Sequence, residues 1–171
     1  MIACFDVDYD EEDPGGTTAN AACVVISGWS AAKPIAEHVR KIGNVAAYVP
    51  GRFFERELPC VLAVLELVTH PLEVIVIDGY VVLDETGTWG MGGFLWAALG
   101  ERIPVVGVAK NRFRSNAAAI EVYRGGSKRP LFVTALGVDP QAAANDVQRM
   151  HGEHRLPTAL KRVDRLCRDG R

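Results

Sequence analysis

Four acidic residues stand at positions where the surrounding sequence pattern requires apolar side chains. Asp6 continues the apolar face of a strand that begins at residue 2, because alternate residues of a strand share a face. Glu57 and Asp164 each fall in the apolar stripe of an amphipathic helix, whereas Arg56 is predicted to point elsewhere. Asp78 ends a β-branched strand, at the carboxyl edge where open α/β sheets build their sites. Four separate elements are therefore predicted to direct an acid inward.

Buried carboxylates destabilise a fold by several kcal/mol each through desolvation and mutual repulsion, unless a partner neutralises them. A divalent cation removes that cost. Oxygen ligands without histidine or cysteine favour Mg²⁺, with Mn²⁺ as the alternative. Such ions assist phosphoryl chemistry by stabilising charge on the phosphate and on the leaving oxygen. The other interpretation is structural, because a buried aspartate can also cap a helix or pair with a cation.

Two further residues could take part in the same chemistry. Lys110 follows a predicted strand, and a parallel arrangement would bring it to the same sheet edge as Asp78. A lysine there could hold a phosphate oxygen or position a water, although a solvated strand end is the simpler interpretation. Tyr48 precedes a rigid turn at Pro50 and Gly51, where an exposed ring could act as a wedge between stacked bases. The alternative for Tyr48 is a hydrophobic staple onto the following helix.

The elements that must position these residues alternate between strands and helices. Apolar runs predict strands at residues 2–7, 21–27, 34–41, 74–77 and 105–109, and a hairpin from residues 118–124 and 130–134. Helical spacing predicts helices at residues 52–68, 90–99, 140–150 and 157–168. Strands followed by alternating helices and strands predict a single α/β domain over residues 1–171, with a mixed central sheet and helices on both faces.

The composition is that of a globular chain. The 171 residues are 49% hydrophobic and 23% charged, with a net charge of −2, and this length can form one domain with a substantial core. Residues 1–100 carry 5 basic and 14 acidic side chains, whereas residues 101–171 carry 14 basic and 7 acidic ones. A basic second half suits a protein that meets a phosphate backbone, although solvated helix faces would produce the same asymmetry.

The cysteines and the chain ends bear on the cellular compartment. The four cysteines are scattered without a C-x-x-C pair, which disfavours both a zinc site and a disulfide framework. No basic and apolar leader is recognisable before residue 2, and no apolar run reaches about 18 residues. We therefore expect a cytoplasmic protein without membrane partners.

In their order along the chain, these segments resemble the endonuclease V family, the nucleases that act on deoxyinosine in DNA and on inosine in RNA. The matching segments are residues 5–9 (FDVDY), 48–57 (YVPGRFFERE), 76–79 (VIDG), 104–110 (PVVGVAK), 155–157 (RLP) and 163–164 (VD). One departure is that Tyr80 and Val81 follow Asp78-Gly79, where the family has His-Gly. The resemblance implies a ribonuclease H-like fold, in agreement with the predicted mixed sheet.

The resemblance also implies roles for individual residues. Asp6, Glu57 and Asp78 would bind the metal. Asp164 would be a fourth acid beside it, and Lys110 would complete the catalytic set. The wedge motif and the pocket for a flipped hypoxanthine would correspond to Tyr48, Pro50, Gly51, Phe53, Gly79 and Gly107. Glycine suits such a pocket because a base can then approach the backbone closely.

The reaction implied by the resemblance is metal-assisted hydrolysis of a phosphodiester, one nucleotide from the lesion on its 3′ side, leaving a 3′-hydroxyl. Mg²⁺ would be the cofactor, DNA and single-stranded RNA the partners, and a monomer the working form. The sequence leaves two other functions open. One is a non-catalytic or differently specific nucleic-acid-binding relative. The other is an interaction protein whose acids are structural ion-pair partners.

Overall fold

A seven-stranded sheet forms the centre of the computed structural model, which describes residues 1–12, 16–47, 49, 51–114 and 116–169. The strands are β1 (Ile2–Asp10), β2 (Thr18–Ile26), β3 (Ala36–Ile42), β4 (Val74–Asp78), β5 (Val105–Ala109), β6 (Ile120–Val122) and β7 (Leu131–Leu136). They lie in the order β3-β2-β1-β4-β5-β7-β6. The central β1, β4 and β5 are parallel, and the flanking strands pair antiparallel. This is the predicted mixed sheet, in the ribonuclease H-like arrangement.

The three parallel strands bring candidate residues to one edge of the sheet. In the register of β1 and β4, the last pair is Phe5 with Ile77. Asp6 and Asp78 are therefore the next residues along two adjacent strands. Lys110 directly follows β5, the next parallel strand, at the same edge. The carboxyl edge of the sheet is thus the place where chemistry can be assembled.

Helices cover both faces of the sheet, and those described are α1 (Phe53–Leu65), α2 (Met91–Ala98), α3 (Pro140–Arg149) and α4 (Thr158–Asp169). α1 and α2 pack on the face that carries Ala3 and Phe5. α3 and α4 pack on the opposite face, which carries Ile2 and Cys4. Alternate residues of β1 thus enter two separate cores, and Asp6 continues the series that faces α4. The prediction of helices on both faces is confirmed.

The observed elements differ from the predicted ones mainly at their ends. β1 extends to Asp10, beyond the predicted strand at residues 2–7, because its second half pairs with β2. α1 ends at Leu65 instead of residue 68, because the chain tightens there and Leu67 N–H bonds to Val64 O at 3.1 Å. The predicted hairpin is confirmed by the antiparallel pairing of β6 and β7. The four cysteines are buried free thiols.

None of the described helices is long and apolar enough to cross a membrane. The longest of them, α1, has 13 residues, whereas a membrane-spanning helix needs about 20.

Candidate active site

Three of the four predicted acids meet at the carboxyl edge of the sheet. Asp6 comes from β1, Asp78 from the end of β4, and Asp164 from α4. One carboxylate oxygen of each lies within 4.8 Å of the other two. α4 buries Leu160 and Val163 in the core, and this orientation turns the neighbouring Asp164 toward the strand ends. The three oxygens are close enough together to contact a single divalent cation.

Lys110 is hydrogen-bonded to two of these three acids. Its Nζ donates to Asp78 Oδ2 at 2.6 Å and to Asp164 Oδ1 at 3.4 Å. Asp164 also accepts a hydrogen bond at 2.8 Å from Arg168, one turn further along α4. Among the described residues Asp6 forms no salt bridge, and it accepts a backbone N–H at 2.9 Å. Asp78 and Asp164 thus have cationic partners, Lys110 and Arg168, whereas Asp6 has none among the described residues.

The crowded carboxyl groups affect one another's protonation. Burial raises the pKa of Asp6 to about 7, and the negative charge of Asp78 adds to this effect. Burial likewise raises the pKa of Glu57 to about 8, with further contributions from Asp6 and Asp78. Burial opposes the charged form of Lys110, yet its hydrogen bond to Asp78 and that residue's charge leave the lysine pKa above its ordinary value. A bound cation would favour the ionised acids.

Glu57 lies beside the group of three acids rather than within it. Its side chain is buried, as the predicted position in the apolar stripe requires. Its pKa responds to both Asp6 and Asp78, although the three mutually close oxygens do not include one from Glu57. Because α1 and α4 pack on opposite faces of the sheet, Glu57 and Asp164 approach the strand ends from two sides.

The prediction that Arg56 points away from the core is wrong. The side chain is 5% exposed, its guanidinium lies 3.9 Å from the ring centroid of Tyr9, and it pairs with Glu11 at 2.9 Å. Stacking on the ring and the ion pair together stabilise a buried charge next to Glu57. The physical reason is the length of β1: the strand continues to Asp10 and brings Tyr9 against α1.

An apolar cavity of about 500 Å³, which we call the aromatic cavity, opens beside Asp78 and Glu57. Three of the residues that the resemblance assigns to substrate binding, Gly51, Phe53 and Gly79, line it. Gly51 and Gly79 have φ angles of +80° and +125°, and a Cβ at either would meet no atom within 4 Å. The backbone conformation therefore favours glycine at both positions, and the space in front of each stays open.

Two described residues, Val49 and Gly51, belong to the segment that resembles the family's wedge motif. Gly51 lines the cavity, and Val49 is exposed. Tyr48 and Pro50 lie outside the described residues, so the wedge role predicted for them stays a prediction.

Gly107 lies behind the cavity rather than in its lining. A Cβ at this position of β5 would be 2.6 Å from the carbonyl oxygen of Gly79 and 2.9 Å from the nitrogen of Val81. The absent side chain lets the loop after β4 pack directly on β5. There, Val81 N–H also donates to Thr134 Oγ1 at 2.9 Å. Gly107 therefore positions the loop that carries Gly79.

We expect Gly107→Ala to destabilise the protein by about 1–3 kcal/mol, because the added methyl group requires the loop backbone to move. Thermal unfolding measures this loss, at about 2–4 °C of Tm per kcal/mol for a chain of this size. Gly28→Ala is the matched control, since a Cβ there would meet no atom within 4 Å. Equal Tm values for the two variants would contradict the packing role of Gly107.

Sequence reasoning missed most of the aromatic side chains that line the cavity. Tyr80, Trp89, Phe94 and Phe113 all contribute to the lining. Phe94 stacks on Phe54 with 3.8 Å between ring centroids. These residues come from loops and a short helix, so no periodic pattern connects them. The one available signal was the concentration of aromatic residues around the glycine-rich segment before and within α2.

The donor set fits a hard divalent cation. It consists of carboxylate oxygens, three of which lie within 4.8 Å of one another, and the buried Glu57 lies beside them. Oxygen-only sites suit Mg²⁺ and Mn²⁺ better than zinc, which favours cysteine and histidine. A cation bound here would share Asp78 and Asp164 with Lys110.

The metal-free protein should lose stability as the pH rises from about 4 to about 8. Asp6 and Glu57 have pKa values near 4 in an unfolded chain, and about 7 and about 8 in the folded protein. The folded state thus binds more protons in this interval, and its free energy of unfolding falls as those protons leave. Adding Mg²⁺ at pH 8 should raise Tm by favouring the folded state.

Asp6→Asn isolates this effect from other titrating groups. The metal-free variant should have a Tm similar to that of the parent near pH 4 and a Tm higher by at least about 4 °C at pH 8, using about 2–4 °C per kcal/mol. It should also respond less to Mg²⁺. A Tm difference between variant and parent that stays constant with pH would show that Asp6 does not carry a raised pKa.

Three comparisons relate this chain to known proteins. The family model for Endonuclease V matches residues 1–134. An endonuclease V of Streptomyces coelicolor is 34% identical, over 98% of this chain and 77% of its own length. The solved endonuclease V of Streptomyces avermitilis has a TM-score of 0.76 at 29% identity, with 99% of this chain and 80% of its own covered.

A more distant structural neighbour shares the fold. Endonuclease V of Ciona intestinalis, solved in complex with a 24mer DNA containing an inosine followed by a ribo-adenosine, has a TM-score of 0.80 at 18% identity. That likeness covers 99% of this chain and 84% of the Ciona chain. The family match extends over most of the sequence, and the Streptomyces coelicolor relative exceeds 30% identity over nearly the whole chain. This chain therefore belongs to the endonuclease V family.

Proposed function

We propose that this chain is a metal-dependent endonuclease that hydrolyses a phosphodiester on the 3′ side of deoxyinosine in DNA, or of inosine in RNA. The observation that carries the proposal is the approach of Asp6, Asp78 and Asp164 to within 4.8 Å, with Lys110 in contact with two of them. Family membership supports the nuclease activity. The inosine-containing DNA bound to the Ciona intestinalis relative supports the choice of lesion.

We call the group formed by Asp6, Glu57, Asp78 and Asp164, together with Lys110, the acidic centre. Each of its residues has a role in this proposal. Asp6 and Asp78 would hold Mg²⁺, for which Mn²⁺ could substitute, with Glu57 as the third ligand that the resemblance implies. Asp164 is close enough to Asp6 and Asp78 to contact the same ion. When bound, such an ion supplies charge stabilisation to the phosphate and lowers the pKa of an attacking water. Lys110 carries its proton on Nζ and can donate a hydrogen bond to a phosphate oxygen. Asp164, whose contact with Lys110 is the longer one at 3.4 Å, can accept a hydrogen bond from a water and orient it.

We assign the aromatic cavity to the lesion base. Its volume of about 500 Å³ accommodates a purine ring, and its apolar lining includes Phe53, Trp89 and Phe94. The open space in front of Gly79 allows the edge of a base to approach the backbone there. A base can enter such a pocket only after it leaves the helical stack. The wedge role that the resemblance gives to Tyr48 would serve that step.

A polyanionic partner is supported by the 14 basic and 7 acidic residues of the second half of the chain. We propose that DNA or single-stranded RNA is bound and that the chain works as a monomer in the cytoplasm. Sedimentation with and without an inosine-containing oligonucleotide tests the monomer, because a 1:1 complex is expected.

A panel of end-labelled oligonucleotides tests the function. The strands carry one deoxyinosine, one uracil, one abasic site or no lesion, and each is incubated with Mg²⁺, Mn²⁺ or EDTA. We expect metal-dependent cleavage of the deoxyinosine strand, one nucleotide to the 3′ side of the lesion, with a 3′-hydroxyl end. No cleavage of any strand by the metal-bound protein would contradict the nuclease assignment. Salt-dependent binding without cleavage would identify a non-catalytic relative instead.

A further inference from the structure

A basic groove lies between α4 and the segment that joins α3 to α4. We call it the α4 groove, and its lining includes the cationic side chains of Lys161, Arg162 and Arg165, together with two histidines, His151 and His154. Its volume is about 650 Å³, larger than the aromatic cavity. Glu153 is the acidic residue of the lining. The groove is therefore a concave surface on which positive charge predominates.

Two cations of the α4 groove are available to a ligand. Lys161 and Arg165 are exposed, and within the described part of the chain neither side chain has an ion pair or a hydrogen bond. Arg162, by contrast, forms a bidentate salt bridge with Glu37, with N–O distances of 2.7 and 2.8 Å. Lys161 and Arg165 are four residues apart on one helix and so lie on the same side of it. Two neighbouring exposed cations form a favourable place for phosphate oxygens.

The wall of the groove opposite α4 is held in place by the buried side chain of Arg124, which is 7% exposed. Its guanidinium donates to the carbonyl oxygens of Gln148, Met150, Gly152, His154 and Arg155. His151 Nδ1 also lies 2.9 Å from Thr158 Oγ1 at the start of α4. A groove whose wall is fixed before a ligand arrives loses less conformational entropy on binding.

The α4 groove adjoins the acidic centre. Leu156 lines both the groove and the small cavity that contains Asp6, Asp78 and Lys110. Asp164 lies on α4 directly before Arg165, and its carboxylate belongs to the acidic centre. One helix therefore presents an acid to the proposed site of cleavage and exposed cations to the adjoining groove. When one phosphate of a nucleic-acid strand lies at the acidic centre, the α4 groove lies next to that nucleic-acid strand.

We propose that the α4 groove binds the phosphodiester backbone of the strand being cleaved, through Lys161 and Arg165, at a phosphate away from the scissile one. This inference rests on the proposed nuclease function. Contacts to phosphates fix the register of a strand but carry no information about its bases. The groove thus adds affinity for any strand, whereas the aromatic cavity selects the lesion.

The test measures the affinity of a fluorescent single-stranded oligonucleotide by anisotropy at a series of salt concentrations. Ca²⁺ replaces Mg²⁺ as the hard cation, to limit cleavage during the measurement. Lys161→Ala and Arg165→Ala are compared with Arg102→Ala, which removes an exposed cation from the segment before β5, at the opposite edge of the sheet. Strands with and without deoxyinosine are both measured.

Each groove variant should weaken binding of both strands. It should also reduce the slope of log K against log salt by about 0.7, the contribution of one phosphate contact on a single strand. Arg102→Ala should keep the slope of the parent. Lys161→Arg should keep it too, because the charge is retained, and this rescue separates a lost contact from a damaged fold.

Groove variants that keep the slope and the affinity of the parent would overturn the inference, although a parent that binds and cleaves would still support the nuclease proposal. A parent without salt-dependent binding would overturn the proposed function itself. Inorganic phosphate serves as the competitor. Inorganic phosphate could bind the parent but not the groove variants, while the slope of log K against log salt for the oligonucleotide is the same in all of them. In that case the groove holds free phosphate and the inference is wrong.

Discussion

Replacing Asp78 with alanine is expected to lower the rate of phosphodiester cleavage by at least about 10³-fold at saturating Mg²⁺. Metal assistance is worth several kcal/mol of transition-state stabilisation, and about 1.4 kcal/mol corresponds to a factor of ten. Asp78 belongs to the group of three close oxygens and is the nearer contact of Lys110, at 2.6 Å. The substitution therefore removes a proposed metal ligand and the main partner of the lysine together.

The fold should survive this substitution. The charge of Asp78 raises the pKa values of Asp6 and Glu57, so its removal relieves repulsion in the metal-free protein and offsets the lost ion pair. Glu73→Ala is the matched control, because Glu73 precedes the other end of β4 and is 82% exposed. It should cleave at the parent rate. Retained cleavage in Asp78→Ala, or a large fall in its metal-free Tm, would contradict the account.

Replacing Lys110 with methionine should lower cleavage by roughly 10²–10³-fold, the loss that follows removal of one preorganised donor to a developing negative charge. Methionine keeps an unbranched chain of similar length but lacks the ammonium group. Lys110 also lowers the pKa of Asp6, so its loss should destabilise the metal-free protein at neutral pH. The same loss removes a competitor for the carboxylates, and metal binding should become tighter.

Two measurements separate these effects of Lys110→Met. Cleavage is followed as a function of Mg²⁺ concentration, and the rise in Tm on adding Mg²⁺ is compared with that of the parent. We expect a rate defect that excess Mg²⁺ does not restore, together with a Tm rise at least as large as the parent's. Lys33→Met, at an exposed position between β2 and β3, is the control. Full recovery of the rate by excess Mg²⁺ would contradict a direct role of Lys110 at the phosphate.

The grouping of candidate residues at the carboxyl edge of the sheet could be predicted, because the position of each residue depends on a single strand. Asp6 and Asp78 follow apolar strand residues, and Lys110 follows another apolar strand, so three parallel strands suffice to bring them together. No distance between helices enters that argument. The predicted sheet and the predicted antiparallel hairpin agree with the structure for the same reason. The predicted ends of β1 and α1 differ from those in the structure.

The relative positions of the helices could not be predicted in the same way. An apolar stripe shows which side of a helix is buried, but it does not show at which position along the sheet the helix packs. Asp164 and Glu57 both satisfy their stripes, yet Asp164 joins the close group and Glu57 lies beside it. The burial of Arg56 could not be predicted for a related reason, because it depends on Tyr9, a residue far away in the sequence. The aromatic cavity likewise depends on loops without periodicity.

Anomalous diffraction from crystals soaked in Mn²⁺ tests the central claim most directly, because it locates the cation independently of any activity. The account predicts a single strong peak at the carboxyl edge of β1 and β4, within coordination distance of oxygens from Asp6 and Asp78. A contradicting result would be the absence of any peak there at saturating Mn²⁺, with Lys110 still bonded to Asp78 and Asp164.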